Sequence, residues 1–246
     1  MKSKKTALVT GGSGGIGSEI CYQLAEHGYQ VIVNYNSNST KAHQILARLK
    51  PANHTTFKAS ITNSQELQEM VNFVTTQYGK LDVLVNNSGI TKPVPHGDLE
   101  GLTDEWIDRI FQVNVRGAFA CIRAFYPLLQ KGENAIIVNI SSIAARTGVG
   151  SNVAYCASKA AMDSMTRSLG RSLAPDVRVV SLAPGWVMGE YAKTFSEDYI
   201  QEQKDKTPLA RIAEAEDIAK ALISIIETFT FSTGCVFPVD GGRPLS

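Results

Sequence analysis

The run Lys5-Thr-Ala-Leu-Val-Thr10-Gly11-Gly-Ser-Gly-Gly-Ile-Gly17 decides the architecture. It opens as a short apolar and β-branched stretch, passes into glycines, and is followed by a helical pattern carrying Ile20, Leu24 and Ala25. A strand, a glycine turn and a helix N-terminus in that order can cradle a phosphate. The glycines let the backbone come close, and the unpaired N–H groups of the first helical turn face the anion. Glycine-rich turns also occur simply as flexible connectors, so the neighbouring chain has to support the reading. Residues 29–35, Tyr-Gln-Val-Ile-Val-Asn-Tyr, read as a second strand and complete a β-α-β unit of roughly 30 residues, the size a dinucleotide fold requires.

The alternation continues to the end of the chain. Helical spacing is expected from Ala42 to Leu49, ended by Pro51, and from Asn63 to Tyr78, stopped by Gly79. His54 to Ala59 reads as a third strand. Leu81-Asp-Val-Leu-Val85 and Ala135-Ile-Ile-Val-Asn-Ile140 are near-continuous apolar runs, as parallel strands buried on both faces are. Between them a single helical pattern runs from Thr103 to about Lys131, with Asn114 inside it. Val177 to Leu182 is a sixth strand ending in Pro184-Gly185, Ala213 to Glu227 a last helix, and Cys235 to Val239 a last strand. Residues 186–207 lose apolar periodicity while keeping Trp186, Tyr191, Phe195 and Tyr199, which reads as a mobile flap over a substrate pocket. With no composition break, residues 1–246 are expected to form one doubly wound α/β domain, a Rossmann-type parallel sheet with helices on both faces.

Composition bounds the partners. The chain has 24 Lys plus Arg against 23 Asp plus Glu and no long basic run, which argues against a nucleic-acid or membrane surface. No run of transmembrane length occurs and the basic N-terminus leads into an apolar stretch too short for a signal peptide, so a cytoplasmic protein is expected. Cys21, Cys121, Cys156 and Cys235 are far apart without metal-ligand spacing. They read as free buried thiols in a reducing compartment, and no metal site is expected.

A second stretch carries chemistry. Ser142 follows the fifth strand, a glycine-rich loop intervenes, and Tyr155-Cys-Ala-Ser-Lys159 begins what reads as a helix near Asn152. The i,i+4 spacing puts Tyr155 and Lys159 on one face. A phenol titrates near ~10 when unperturbed, and a fixed cation within about 4–6 Å lowers that value toward working pH, which suits a proton donor. Tyr–Lys pairs at this spacing are also common on helix surfaces, so the pair needs its context. At the end of the second strand, where a carboxylate would bind an adenosine ribose 2′-hydroxyl, stand Asn34, Tyr35, Asn36, Ser37 and Asn38 with Lys41 nearby. These neutral residues favour NADP(H) over NAD(H), although Asn and Ser are also ordinary turn residues.

Taken together these residues resemble the short-chain dehydrogenase/reductase family over nearly the whole chain, and in particular its 3-oxoacyl-carrier-protein reductase-like members. Thr10-Gly11-x-x-x-Gly15-Ile16-Gly17 is similar to the family's cofactor loop, Asn86-Asn87-Ser88-Gly89 to its strand-end motif, and Tyr155-x-x-x-Lys159 with Ser142 upstream to its active-site signature. Pro184-Gly185 and Val239-Asp240-Gly241-Gly242 also match. The resemblance implies a catalytic set of Asn114, Ser142, Tyr155 and Lys159. Tyr155 would protonate a substrate carbonyl oxygen and Ser142 would orient it. Lys159 would lower the tyrosine pKa and hold the nicotinamide ribose, while Asn114 would hold a water linking Lys159 to solvent. It further implies cofactor contacts from Gly11, Ser13, Gly14, Gly15, Ile16 and Gly17, from Asn34, Tyr35, Asn36 and Ser37, and from Ser60 and Ile61. Asn87, Ser88, Gly89, Pro184, Gly185 and Val187, with Tyr155 and Lys159, complete that set.

Three positions depart from the family pattern. Ser88 replaces an alanine, Gly189 stands where many members carry a threonine, and Ser60 where many carry an aspartate. The implied activity is NADP(H)-dependent reduction of a carbonyl to a secondary alcohol, or the reverse, on a small molecule or a 3-oxoacyl thioester. Carrier-dependent relatives are basic near Glu133 and Asp176, where this chain is acidic. A homo-oligomer, tetramer or dimer, is implied as well. The alternative is a non-catalytic NADP(H)-binding regulator on the same fold.

Overall fold

The computed structural model describes residues 4–189 and 195–245. Its centre is a parallel sheet built from β1 (Thr6–Val9), β2 (Gln30–Tyr35), β3 (Thr55–Lys58), β4 (Val83–Asn86), β5 (Ile136–Ile140), β6 (Arg178–Pro184) and β7 (Val236–Val239). The strand order is β3-β2-β1-β4-β5-β6-β7. Starting at β1 the chain steps outward to β3, then returns and steps the other way from β4, so the order reverses between β1 and β4.

The period-2 geometry of each strand divides the core. Ala7, Val9, Val31, Val33, Val83, Val85, Ile136 and Val138 face one layer, packed by Ile20 and Leu24 of α1 (Gly15–Glu26), Ile45 of α2 (Ser39–Arg48) and the apolar side of α9 (Ala215–Glu227). Leu8, Ile32, Leu84, Ile137 and Val179 face the other, against α3 (Ser64–Tyr78) and α5 (Ala118–Leu129). Burial on both faces explains why β4 and β5 read as unbroken apolar runs. Pro238 lies in β7, the edge strand, where a missing N–H costs no ladder bond. No helix among the described residues is long and apolar enough to cross a membrane.

Three expectations change. The single helix from Thr103 is α4 (Asp104–Phe111), a π-helical turn at Gln112–Gly117, and then α5. The wide turn falls on Asn114. The flap contains a regular helix, α8 (Glu197–Asp205), which buries only Gln203 and so offers no apolar stripe for a periodicity reading to find. Trp186, Phe195 and Tyr199 cluster, with Phe195 and Tyr199 stacked at 4.7 Å between centroids. Tyr191 and the rest of 190–194 lie outside the described residues. Cys21, Cys121 and Cys156 are buried, but Cys235 is exposed because it precedes the edge strand β7. Glu133 and Asp176 come just before β5 and β6, at the amino edge of the sheet. Within one chain they are at the opposite edge from Ser142.

Candidate active site

The site occupies the crevice where β1 and β4 diverge, outside the carboxyl ends of the strands. Thr10 ties the two together. Its N–H donates to the Val85 carbonyl (3.0 Å), and its Oγ1 accepts from the N–H groups of Asn87 (3.0 Å) and Ser88 (3.1 Å). Asn87 Nδ2 returns two bonds of 3.0 Å, to the carbonyls of Thr10 and Gly11. Gly11 turns through a φ of +60°, and a Cβ on Gly17 would collide with the Gly11 carbonyl. At Gly15 an added Cβ meets nothing within 4 Å, and no side chain caps the N-terminus of α1. The first-turn N–H groups therefore face an open cleft of about 720 Å³. That donor set and space fit a dinucleotide diphosphate.

The cleft wall includes Gly11, Ser13, Gly14, Gly15, Ile16, Gly17, Asn34, Asn36, Ser37, Ser60, Ile61, Asn87, Ser88, Gly89 and Val187. Of the expected ribose contacts, two behave differently. Asn34 is buried, and both Nδ2 hydrogens are engaged by the carbonyls of Phe57 (3.3 Å) and Ala59 (2.9 Å). It braces β2 against β3 and has no donor left for a ribose phosphate. Tyr35 is not on the wall; its hydroxyl donates to Ser39 Oγ at 3.3 Å. Pro184 and Gly185 also lie off the wall. The Pro184 carbonyl accepts the Ile143 N–H (3.0 Å), fixing the turn after Ser142, and Gly185 packs against Asp240.

Tyr155 and Lys159, expected among the cofactor contacts, also lie off this wall, and Ser142 lines a separate cavity of about 280 Å³. The catalytic candidates gather behind Gly89. A Cβ added to Gly89 would stand 3.4 Å from Asn114 Oδ1 and 3.7 Å from Lys159 Nζ, so the cleft wall and the buried lysine adjoin at this glycine. Tyr155 and Lys159 lie on α7 (Val153–Ser172), whose N-cap is Asn152. Asn152 Oδ1 accepts the Tyr155 N–H at 2.7 Å, while its Nδ2 donates to Lys92 O (2.7 Å) and Thr91 Oγ1 (3.2 Å). The cap thus holds the first turn of the tyrosine helix on the loop that follows β4.

Lys159 is buried and donates to the Ile140 carbonyl at 2.7 Å, with Nζ 5.7 Å from the Tyr155 ring centroid. Burial lowers its pKa to about 8, with Asp163 acting in the opposite sense. The Tyr155 hydroxyl moves up, mainly through burial, opposed by a hydrogen bond with Ser142. The net direction is set by burial and not by the cation expected to lower it. The ammonium is held at the Ile140 carbonyl, and desolvation of the hydroxyl dominates. Asn114 is also more committed than expected. Its Oδ1 accepts the Ile90 N–H (2.8 Å) and its Nδ2 donates to Ile90 O (3.0 Å) and Ser158 Oγ (3.1 Å), leaving one lone pair on Oδ1.

The sequence reading missed Ala59, Thr62, Ile90, Arg109, Gln112, Val113 and Met188 on the cleft wall, and Gly189, noted there only as a departure from the family pattern, lines it too. Arg109 is the one charged group on that wall among the described residues, and its guanidinium stacks 5.3 Å over the Trp106 ring. Arg109, Gln112 and Val113 are i, i+3 and i+4, a spacing that could have revealed a shared face.

Residues 5–200 match the family described as short chain dehydrogenase. A Streptomyces violaceoruber chain named as a ketoacyl reductase of the granaticin polyketide synthase is 35% identical over 241 residues, covering 97% of this chain and 96% of the relative. A 3-oxoacyl-[acyl-carrier-protein] reductase of Staphylococcus aureus is 33% identical over 246 residues, covering 98% and 99%. A solved Burkholderia xenovorans structure, described as a short-chain dehydrogenase/reductase, superimposes with a TM-score of 0.92 at 29% identity, covering 100% of both chains.

Proposed function

We propose a specific role for a chain that belongs to the short chain dehydrogenase family, whose members interconvert carbonyls and alcohols: NADPH-dependent reduction of a ketone, including 3-oxoacyl thioesters. The observation that carries the reading is that the diphosphate-sized cleft adjoins, at Gly89, the buried Lys159 that lies by the hydrogen-bonded Tyr155–Ser142 pair. When bound, the nicotinamide supplies hydride to the carbonyl carbon.

The chain's own residues do the rest. Burial keeps Tyr155 a neutral phenol at physiological pH, the form that can donate a proton to a developing alkoxide. Ser142 Oγ accepts the Ala144 N–H at 3.2 Å and shares a hydrogen bond with Tyr155, so the two hydroxyls would meet one substrate carbonyl oxygen, which Ser142 would polarise. After the proton leaves Tyr155, the Lys159 ammonium, present below about 8, stabilises the phenolate. The remaining lone pair of Asn114 Oδ1 can accept from a water that relays a proton to Lys159.

The cofactor preference rests on Asn36 and Ser37, neutral groups on the cleft wall where a carboxylate would repel a 2′-phosphate. Assembly as a homo-oligomer and a cytoplasmic location belong to the same reading. The test is NADPH oxidation against a panel of ketones and 3-oxoacyl thioesters. Turnover by the wild type and its loss in Tyr155→Phe supports the assignment. NADPH binding without turnover by either protein favours a non-catalytic regulator.

A further inference from the structure

One turn beyond Lys159 on α7 lies Asp163, on the same helical face. Lys159 is 5% exposed and Asp163 8%. A carboxylate so enclosed is ordinarily paired or hydrogen-bonded. Among the described residues nothing donates to Asp163, and its Oδ1 is sealed from solvent without a partner. Arg146 and Arg167 line the same cavity of about 280 Å³, yet neither forms an ion pair with it among the described residues. Both arginines are exposed, where water screens them.

The other charges around this part of α7 are outward. On α4, Asp104, Glu105, Asp108 and Arg109 are exposed, as is Arg116 of the π-helical turn. Arg178 stands at the far, amino end of β6, and half-buried Asp240, a second carboxylate on the same cavity, accepts the Gly242 N–H at 2.9 Å. Tyr155 and Cys156 are kept neutral by burial. Among the described residues Lys159 is therefore the one buried cation within a helical turn of the buried carboxylate, and the hydrogen bond its ammonium makes there is to a neutral carbonyl.

We infer that Asp163 is a positioning residue of the site, the counter-charge that keeps buried Lys159 in its ammonium form. It acts through space and touches neither substrate nor cofactor. The direction of its effect on Lys159 agrees with this role. The inference rests on the proposed oxidoreductase role for its functional meaning, but not for its electrostatics.

The experiment is competitive acylation of the lysines of ligand-free protein with an isotopic reagent across the alkaline range, read peptide by peptide by mass spectrometry. Asp163→Asn, which keeps the shape and removes the charge, is expected to lower the Lys159 midpoint by about half to one pH unit. Exposed Lys220 should keep its midpoint. Asp163→Ala should give the same shift and Asp163→Glu should restore the wild-type value, which separates charge from packing should one variant fold poorly. An unchanged Lys159 midpoint in a folded neutral variant overturns the inference. A wild-type midpoint well below neutrality also overturns it. In a reductase assay the alkaline limb of the pH profile should move down by the same amount. If the midpoint moves and neither protein reduces any carbonyl, the counter-charge stands and the oxidoreductase reading falls. If turnover is intact and the midpoint is fixed, the reverse holds.

Discussion

Lys159 reaches beneath the ring of Tyr155, its Nζ 5.7 Å from the ring centroid and 2.7 Å from the Ile140 carbonyl. Its charge is thus held in place by the strand, ready for the phenolate that forms when Tyr155 gives up its proton. Burial pulls the lysine down to about 8, so the ammonium is present below that pH and lost above it. The reductive kcat/KM, which reports the free enzyme, should be level below about 8 and fall as pH rises through it. A profile that rises through this range would remove the ammonium from the mechanism.

Asn152→Ala removes the cap whose Oδ1 holds the Tyr155 N–H, and leaves the Lys92 carbonyl without its donor. Loss of such a cap costs about 1–2 kcal/mol. A lower denaturant midpoint together with reduced kcat is expected, since the same side chain sets the first turn of α7. An unchanged melt would show that the cap contributes nothing.

Gly15→Ala separates folding from cofactor binding. The new methyl meets no atom within 4 Å, and alanine in place of glycine in a helix contributes roughly 0.5–1 kcal/mol. The melting temperature should hold or rise while NADPH affinity falls, because the methyl enters the space over the first-turn N–H groups. Fluorescence titration alongside a thermal melt reads both.

Ser37→Asp places a carboxylate on the cleft wall where the ribose phosphate is expected. The ratio of NADPH to NADH affinity should drop by at least tenfold, with NADH binding retained. Equal weakening of both cofactors would move the 2′-phosphate site elsewhere on the wall, with Arg109 the next residue to test.

Most of the sheet was legible because strands buried on both faces are unbroken apolar runs, and the glycine loop was legible because Gly11 takes a positive φ and a Cβ on Gly17 would collide with the Gly11 carbonyl. What escaped depends on side-chain direction. Asn34 and Tyr35 are neighbours on a strand, so their side chains point to opposite faces and cannot both meet one ligand. Asn34 turns to the β3 carbonyls and Tyr35 to Ser39. The π-helical turn was hidden for a related reason. Asn114 clamps both backbone groups of Ile90, a residue distant in sequence, and helical spacing alone carries no sign of that contact. Ser142, Tyr155 and Lys159 are near one another because Ser142 follows β5 directly and the other two lie on the first turns of α7, whose lysine reaches back to the β5 carbonyl of Ile140.

The most direct test of the central claim follows the hydride. Wild-type protein is incubated with NADPH deuterated at the nicotinamide C4 and a 3-oxoacyl thioester or simple ketone, and the alcohol is analysed by mass spectrometry. Deuterium on the carbinol carbon, with product formation reduced roughly 10²–10⁴-fold in Tyr155→Phe, is the expected result. NADPH bound at the cleft with no deuterium passed to any ketone would contradict it.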